Sequence, residues 1–166
     1  MSQAPIDFLT EYGHTPPMCT QFSVFLDNRV GKLLELVEIF DGQPLRIVAI
    51  SVADSSDYAV VRLVTSRSDM ARRLLKDHRL PYGESEILVV ELGQDQRLAR
   101  LCISLLAAEL NIYYAYPLVV RPHGAATIAL HCDDLVLAGQ ILGRKGFRLV
   151  TEEQLHDAAG GEPPMG

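Results

Sequence analysis

The chain has 166 residues, 48% of them hydrophobic, and its 21 acidic and 15 basic side chains give a formal net charge of −6. This composition excludes disorder over most of the chain, and the length suits one large domain or two small ones. The acidic balance, with no cluster of Lys and Arg, argues against a nucleic-acid partner, and no apolar run approaches the roughly 20 residues that cross a bilayer, which argues against a membrane partner.

The N-terminus has neither the basic start nor the apolar core of a secretory signal, so the sequence predicts a cytoplasmic protein. Cys19, Cys102 and Cys132 are odd in number and lack close-spaced partners, which favours reduced, mostly buried thiols over a disulfide or a zinc site. His131 and Cys132 are neighbours on a predicted strand and should project to opposite faces. We therefore expect no metal and no cofactor.

The first half of the chain predicts the order βαββαβ. Alternating apolar residues predict a strand over 21–26, and apolar residues at i, i+3, i+4 and i+7 predict a helix over 32–40. Two β-branched runs around a cluster of turn-forming residues predict a hairpin. The remaining predicted elements are strands over 47–52 and 58–64, a helix that Ser68 or Asp69 caps, and a short strand over 81–85.

The same order of elements recurs after Glu86. Its elements are a strand over 87–92, a helix with the apolar stripe Leu98, Leu101, Cys102 and Leu105, strands over 112–120 and 126–132, a helix over 134–145 and a strand over 147–150. Superposing the halves places Leu33 on Leu98 and Ile47 on Ile112 at one constant offset. Two copies of one unit explain this agreement, and units so small should pack on each other. The predicted divisions are an N-terminal extension (1–18), a first unit (19–85), a second unit (86–155) and a flexible C-terminal tail (156–166).

Two stretches of the first unit resemble the ACT domain, a family of small-molecule-sensing modules that commonly bind amino acids. They are residues 27–33, DNRVGKL, after the first strand, and residues 50–58, ISVADSSDY, at the hairpin. The best match is the group of stand-alone proteins made of two ACT domains, and the resemblance covers roughly residues 20–155. It implies an α/β (α+β) fold in which two ferredoxin-like βαββαβ ACT units with antiparallel sheets pack together.

In the ACT family the turn between the first strand and the first helix binds the ligand. The resemblance therefore implies a ligand-binding site at Asp27, Asn28, Arg29, Val30, Gly31 and Lys32. Gly31 permits a close backbone approach, and the N–H groups at a helix start suit a carboxylate. Val30 stands where the family usually has proline. The corresponding turn of the second unit, residues 93–97, has no glycine beside the helix start, so we expect a degenerate site there.

Family members often carry Asn at the start of the second strand, and the resemblance adds Arg46 of the first unit and Asn111 of the second to the ligand-binding set. Because family ligands often lie between two ACT units, the second strand that completes the site can belong to the other unit or to a partner subunit. The residues alone leave their roles open. Asp27 and Asn28 suit helix capping as well as contact with an ammonium group, and Arg46 suits a solvated strand as well as contact with a carboxylate.

The sequence carries no Gly-x-Ser-x-Gly, phosphate-binding loop, dinucleotide motif or HExxH, so we predict that the protein is not an enzyme and has no catalytic residues. We predict instead a non-catalytic sensor that binds an amino acid or similar metabolite and acts on an unidentified regulated protein. Open edge strands and apolar helix stripes favour a homodimer. The alternative is a ligand-free structural or regulatory dimerisation subunit of a metabolic enzyme, which a binding assay distinguishes from the sensor.

Overall fold

The computed structural model describes residues 15–160, which form an antiparallel sheet with helices packed on it. In this range the strands are β1 (Cys19–Asp27), β2 (Ile47–Asp54), β3 (Tyr58–Thr65), β4 (Tyr82–Leu92), β5 (Ile112–Pro117), β6 (Ala126–Cys132) and β7 (Arg148–Leu149). The helices are α1 (Lys32–Phe40), α2 (Ser68–Asp77), α3 (Leu98–Leu106), α4 (Leu135–Arg144) and α5 (Glu152–Gly160). The predicted βαββαβ order is confirmed in both halves. Within residues 15–160, no helix combines the length and apolar character needed to cross a membrane.

Strand β4 belongs to both units. Its residues 82–87 pair with β1, and its residues 88–92 pair with β6. The sheet order is therefore β2-β3-β1-β4-β6-β5, with the short strand β7 beside the second half of β4. The prediction of two separate strands over 81–85 and 87–92 is wrong, because Glu86 lies inside the ladder with β1 and the chain continues without a break.

The helices α1 to α4 all pack on one face of the sheet. Strand β4 makes this clear, because Tyr82, Leu88 and Val90 contact the helix-facing clusters, whereas Ile87 and Val89 belong to the cluster on the opposite face. The core of the first unit includes Phe22, Val24, Leu36, Phe40, Leu63 and Leu75. The core of the second unit includes Leu101, Leu105, Leu130, Leu142 and Phe147.

The opposite face of the sheet curves around a third apolar cluster. The two outermost strands, β2 and β5, meet where Ala49 forms a bridge with Leu118 and where the Val119 N–H donates to the Val48 carbonyl at 2.8 Å. This contact pairs some of the backbone N–H and carbonyl groups that the two edge strands would otherwise expose. The expectation that each sheet leaves an open edge strand is therefore wrong at this point, because the edges meet each other.

Helix α5 lies where we expected a flexible tail over 156–166. Its residues Leu155 and Ala159 are buried in the third cluster, so that expectation is wrong up to residue 160, and residues 161–166 lie outside the described range. The Glu152 carboxylate at the start of α5 accepts a hydrogen bond from the Ser68 N–H at 3.1 Å. Ser68 is thus the first residue of α2 and not its cap, and its N–H bonds to a carboxylate supplied by a distant part of the chain.

The described part of the N-terminal extension packs on the second unit. Pro16 is buried against α4, where a Cβ atom on Gly139 would lie 2.5 Å from the proline ring. Glycine at this position therefore makes room for the extension, because any side chain would displace Pro16. Residues 1–14 of the predicted extension lie outside the described range.

A buried polar network joins the two units on the curved face. The Gln21 side chain of β1 donates to the Tyr114 hydroxyl at 2.7 Å and accepts from the Tyr116 hydroxyl at 2.5 Å. The Arg62 guanidinium lies over the Tyr114 ring, 4.0 Å from its centroid. Burial raises the pKa of Tyr116, which keeps its hydroxyl protonated and able to donate. Hydrogen bonds and a cation–π contact therefore link β1 and β3 to β5.

The shared strand predicts cooperative unfolding. Because β4 supplies the last strand of the first unit and the first strand of the second, neither sheet can lose it without breaking the other. We expect one transition in differential scanning calorimetry, with equal calorimetric and van't Hoff enthalpies. Two separated transitions would contradict this account of the packing.

The Gln21 network predicts a specific loss of stability. Gln21→Leu fills a similar volume but leaves the Tyr116 hydroxyl without its acceptor in a site where that residue is 7% exposed. We expect the free energy of unfolding, measured in urea, to fall by about 2 kcal/mol. Tyr113→Phe, an exposed position on the same strand as Tyr116, is the control and should change it by less than about 0.5 kcal/mol.

Candidate functional site

The turn between β1 and α1 ends at a glycine in the left-handed backbone region, which other residue types rarely adopt. Gly31 is the N-cap of α1 with φ +88, and no side chain caps this helix start. A Cβ atom built on Gly31 meets no atom within 4 Å, so the turn is open to solvent. Because the first N–H groups of a helix lack intrahelical partners, the start of α1 can donate to an anion. One of these groups, the Lys32 N–H, also donates to the Arg29 carbonyl, with 3.3 Å between nitrogen and oxygen.

The same turn is tied to the β2–β3 hairpin. The Asn28 side chain donates to the Asp54 carboxylate at 2.8 Å and to the Ser55 carbonyl at 3.2 Å. Asp27 forms an exposed ion pair with Arg29 at 3.3 Å. Neither Asp27 nor Asn28 caps α1, which removes the capping interpretation of these residues. The two stretches that resemble the ACT domain are therefore in direct contact.

Two clefts flank the turn, and both are lined by Leu26, Asp27 and Lys32. The larger, about 580 Å³, lies between α1 and the connection from α2 to β4. Its remaining lining residues are Phe25, Glu35, Leu36, Glu38, Ile39, His78, Leu80 and Pro81. The smaller, about 180 Å³, lies between the start of α1 and strands β2 and β3. The larger volume falls within the roughly 300–1,000 Å³ typical of small-molecule sites.

The larger cleft combines an apolar floor with charges of both signs. Leu36 is buried, whereas Glu35 and Glu38 are exposed at the rim. The Lys32 ammonium group pairs with the Glu35 carboxylate at 3.1 Å. Such a surface offers carboxylates to the ammonium group of a ligand. It also offers a lysine and the helix N–H groups to the carboxylate of a ligand. Sequence reasoning missed the wall formed by His78 and Leu80, because a connection between a helix and a strand carries no periodic signal.

The corresponding turn of the second unit is closed by a side chain. The Gln96 amide accepts from the Gly93 N–H at 2.9 Å and donates to the Gly146 carbonyl at 2.9 Å. A Cβ atom on Gly93 would lie 3.2 Å from the Gln96 side chain. At the position equivalent to Gly31 the second unit therefore carries a side chain that bridges the turn to Gly146, although neither helix start has a side-chain cap.

The structure does not bring Arg46 to the Asp27–Lys32 turn. Arg46 precedes β2, where its N–H donates to the Ser66 hydroxyl and its carbonyl accepts from the Ser66 N–H, whereas the turn adjoins Asp54 at the other end of β2. The eight residues of this strand span about 25 Å. Asn111 precedes β5, where its N–H donates to the Asp133 carboxylate at 3.1 Å. Arg46 and Asn111 are each held by contacts within their own unit.

The prediction of mostly buried thiols is confirmed. Cys19 and Cys132 are buried, but Cys102 is exposed on α3. The prediction for His131 is confirmed, because Cys132 packs in the helix-facing core while the His131 ring stacks on Tyr114 at 5.2 Å on the other face. Among residues 15–160 no three His, Cys, Asp or Glu side chains group as metal ligands would.

Comparison with known proteins agrees with this architecture. Among solved structures, the chain is similar to protein BT0572 from Bacteroides thetaiotaomicron, with 22% identity over 85% of this chain and 97% of that chain and a TM-score of 0.74. It is also similar to the ligand-free regulatory subunit of aspartate kinase from Thermus thermophilus, with 8% identity over 78% of this chain and 93% of that chain and a TM-score of 0.52. No curated protein matches the sequence. At these identities the two structures establish the fold alone. The ACT domain pair family matches residues 18–158, and the chain belongs to that family.

Proposed function

We propose that this protein is a non-catalytic regulatory protein that binds an amino acid or a similar small metabolite at the β1–α1 turn of its first unit. Membership of the ACT domain pair family supports a regulatory role. The ligand-binding residues of the proposal are Asp27, Asn28, Arg29, Val30, Gly31 and Lys32, together with the walls of the larger cleft.

One observation carries the proposal, namely the difference between the two equivalent turns. At Gly31 the backbone adopts φ +88 and a Cβ atom would meet nothing, so a ligand can approach the helix start. At the second turn the Gln96 amide already bonds to the backbone on both sides. The two equivalent turns therefore differ, because one leaves its glycine in open space and a glutamine side chain bridges the other.

The charges around Gly31 suit a zwitterion. A ligand carboxylate at the start of α1 would receive N–H donors and the positive end of the helix dipole, with Lys32 beside it. A ligand ammonium group would find Asp27, which lines the larger cleft together with Lys32. An apolar ligand side chain would then cover Ile39 and Leu80, which line the cleft.

The proposed regulatory role implies a regulated protein, which the sequence and the fold leave unidentified. We further propose that the protein acts as a homodimer. The ligand-free dimerisation subunit remains the alternative, and it is the outcome if no metabolite binds.

A matched pair of glycine variants tests the ligand site. Gly31→Ala and Gly42→Ala lie at opposite ends of α1, both have positive φ, and both would place the new methyl group in open space. Each should lower the free energy of unfolding by about 1 kcal/mol, because both force alanine into the left-handed region. Only Gly31→Ala should also weaken ligand binding, and we expect its affinity for the ligand to fall by at least about 10-fold.

The measurement is a thermal-shift screen of the twenty amino acids and related metabolites, followed by calorimetric titration of the wild type and both variants with the compound that stabilises most. Equal affinity in Gly31→Ala and Gly42→Ala would place the ligand elsewhere. If no compound in the screen shifts the midpoint, the sensor proposal is wrong and the ligand-free alternative holds.

A further inference from the structure

Helix α3 carries an apolar face on its outer side. Leu98, Cys102 and Leu106 follow one another at intervals of four residues, with Ile103 beside them, so the four side chains share one face. Ile103 is 64% exposed and Leu106 is 72% exposed. Single exposed apolar residues are ordinary, but a continuous stripe along a whole helix marks an interaction surface. We call these four residues the α3 face.

The first unit provides an internal reference for this face. Helices α1 and α3 occupy equivalent places, and their buried residues correspond in order, Leu36 to Leu101 and Phe40 to Leu105. The outer faces of the two helices can therefore be compared position by position. Any difference between them reflects what each face contacts, because the inner faces serve the same packing role.

The two outer faces differ in chemical character. With the buried residues aligned, Ile103 corresponds to Glu38 and Leu106 corresponds to Asp41, and both acidic residues are exposed. At these two positions the first unit is acidic, whereas Leu33 and Val37, which correspond to Leu98 and Cys102, are apolar in the stripe that both helices share. Helix α3 has apolar residues at the same two positions, which is the pattern of a helix that is covered.

Charges of opposite sign flank the α3 face at its two ends. At the start of α3, the Arg100 side chain donates to the Lys145 carbonyl at 3.1 Å, which places the end of α4 there. The charged residues at this end are Arg97, Arg100, Arg144 and Lys145, with Asp95 as their acidic neighbour. The other end is acidic, because Asp133 bonds to Asn111 just beyond α3. Its acidic residues are Glu109, Asp133 and Asp134.

We propose that the α3 face binds the α3 face of a second copy of this chain, with the two helices antiparallel about a twofold axis near Cys102. In this arrangement the apolar stripes meet, and the basic end of each unit lies beside the acidic end of the other. The antiparallel helix dipoles also attract. The proposal rests on the homodimer part of the proposed function and names its interface. It does not depend on ligand binding at Gly31.

A second copy fits this face better than a different partner would, because the face is self-complementary. Cys102 is the midpoint of the stripe from Leu98 to Leu106, so a twofold axis there pairs Leu98 of each copy with Leu106 of the other. Helices packed 8–10 Å apart bring the facing Cα atoms at such an axis within the range of a disulfide. The exposed thiol of Cys102 therefore serves as a probe of the arrangement.

The first test changes the α3 face to the residues of its counterpart. The double variant Ile103→Glu/Leu106→Asp copies the acidic outer positions of α1, and both sites are exposed, so the fold should be unaffected. Leu34→Glu, 61% exposed on α1, is the matched control. By sedimentation equilibrium at micromolar concentration without ligand, we expect dimers for the wild type and Leu34→Glu. The double variant should dissociate at least about 30-fold more readily.

The second test is crosslinking of Cys102. Two Cu(II)–phenanthroline complexes each accept one electron and become Cu(I) as two thiols lose their protons and form one disulfide. Cys19 and Cys132 should not react, because both are buried and burial raises the pKa of Cys19 to about 12. We expect a reducible species of twice the chain mass on a denaturing gel, absent from Cys102→Ser and strongly reduced in the double variant.

The outcomes separate this interface from the alternatives. A wild-type protein that is monomeric at micromolar concentration overturns the proposal, as does a dimer that neither dissociates in the double variant nor crosslinks through Cys102. Loss of metabolite binding in the glycine variants with an intact dimer would leave the interface standing. A dimer through α3 with no metabolite bound in the screen would instead contradict the ligand site alone.

Discussion

The pairing of β4 with β1 along its first half and with β6 along its second half fixes how the two units are joined. Side chains alternate along a strand, so a slip of one residue would exchange the faces of Ile87 and Leu88 and disrupt both cores. One register therefore determines that all four helices α1 to α4 cover the same face. It also brings β2 and β5 together, and the third cluster and α5 fill the space that the curved sheet encloses.

Local periodicity predicted the elements that local contacts stabilise. Helix α1 and strand β6 have the predicted bounds, because their apolar spacing alone decides which side is buried. Helix α5 was missed, since only Leu155 and Ala159 are buried and their partners lie far away in the chain. The continuity of β4 was hidden by the polar residues 84–86, which lie on a ladder that only the tertiary pairing reveals. The predicted stripe of α3 contains both buried Leu101 and exposed Cys102, because the sequence cannot tell an apolar outer face from an inner one.

The turn that we propose as the ligand site follows from the sequence, whereas the contacts around it do not. Gly31 and its turn followed from the resemblance, and the structure adds the Asn28 contact that joins the turn to the hairpin. Arg46 does not adjoin the turn of its own unit, because it precedes β2 and the turn lies at the other end of that strand. The role of Gln96 could not be predicted from the sequence, because a glutamine at a turn does not indicate that its amide will donate a hydrogen bond to the distant Gly146 carbonyl.

The differences between the two units form a consistent pattern. The first unit has an open turn and acidic residues at two outer positions, Glu38 and Asp41, whereas the second has a turn bridged by Gln96 and apolar residues at the two equivalent positions. In a duplicated domain each copy can lose what the other supplies, and under our proposals the first keeps ligand binding while the second forms the dimer. The two roles would be linked through β4 and the Gln21 network, because both connect the units by buried contacts. The two roles are coupled only if the ligand prefers one of two arrangements of that junction. Ligand binding would then change the dissociation constant of the dimer, and dimerisation would change the affinity for the ligand by the same free energy.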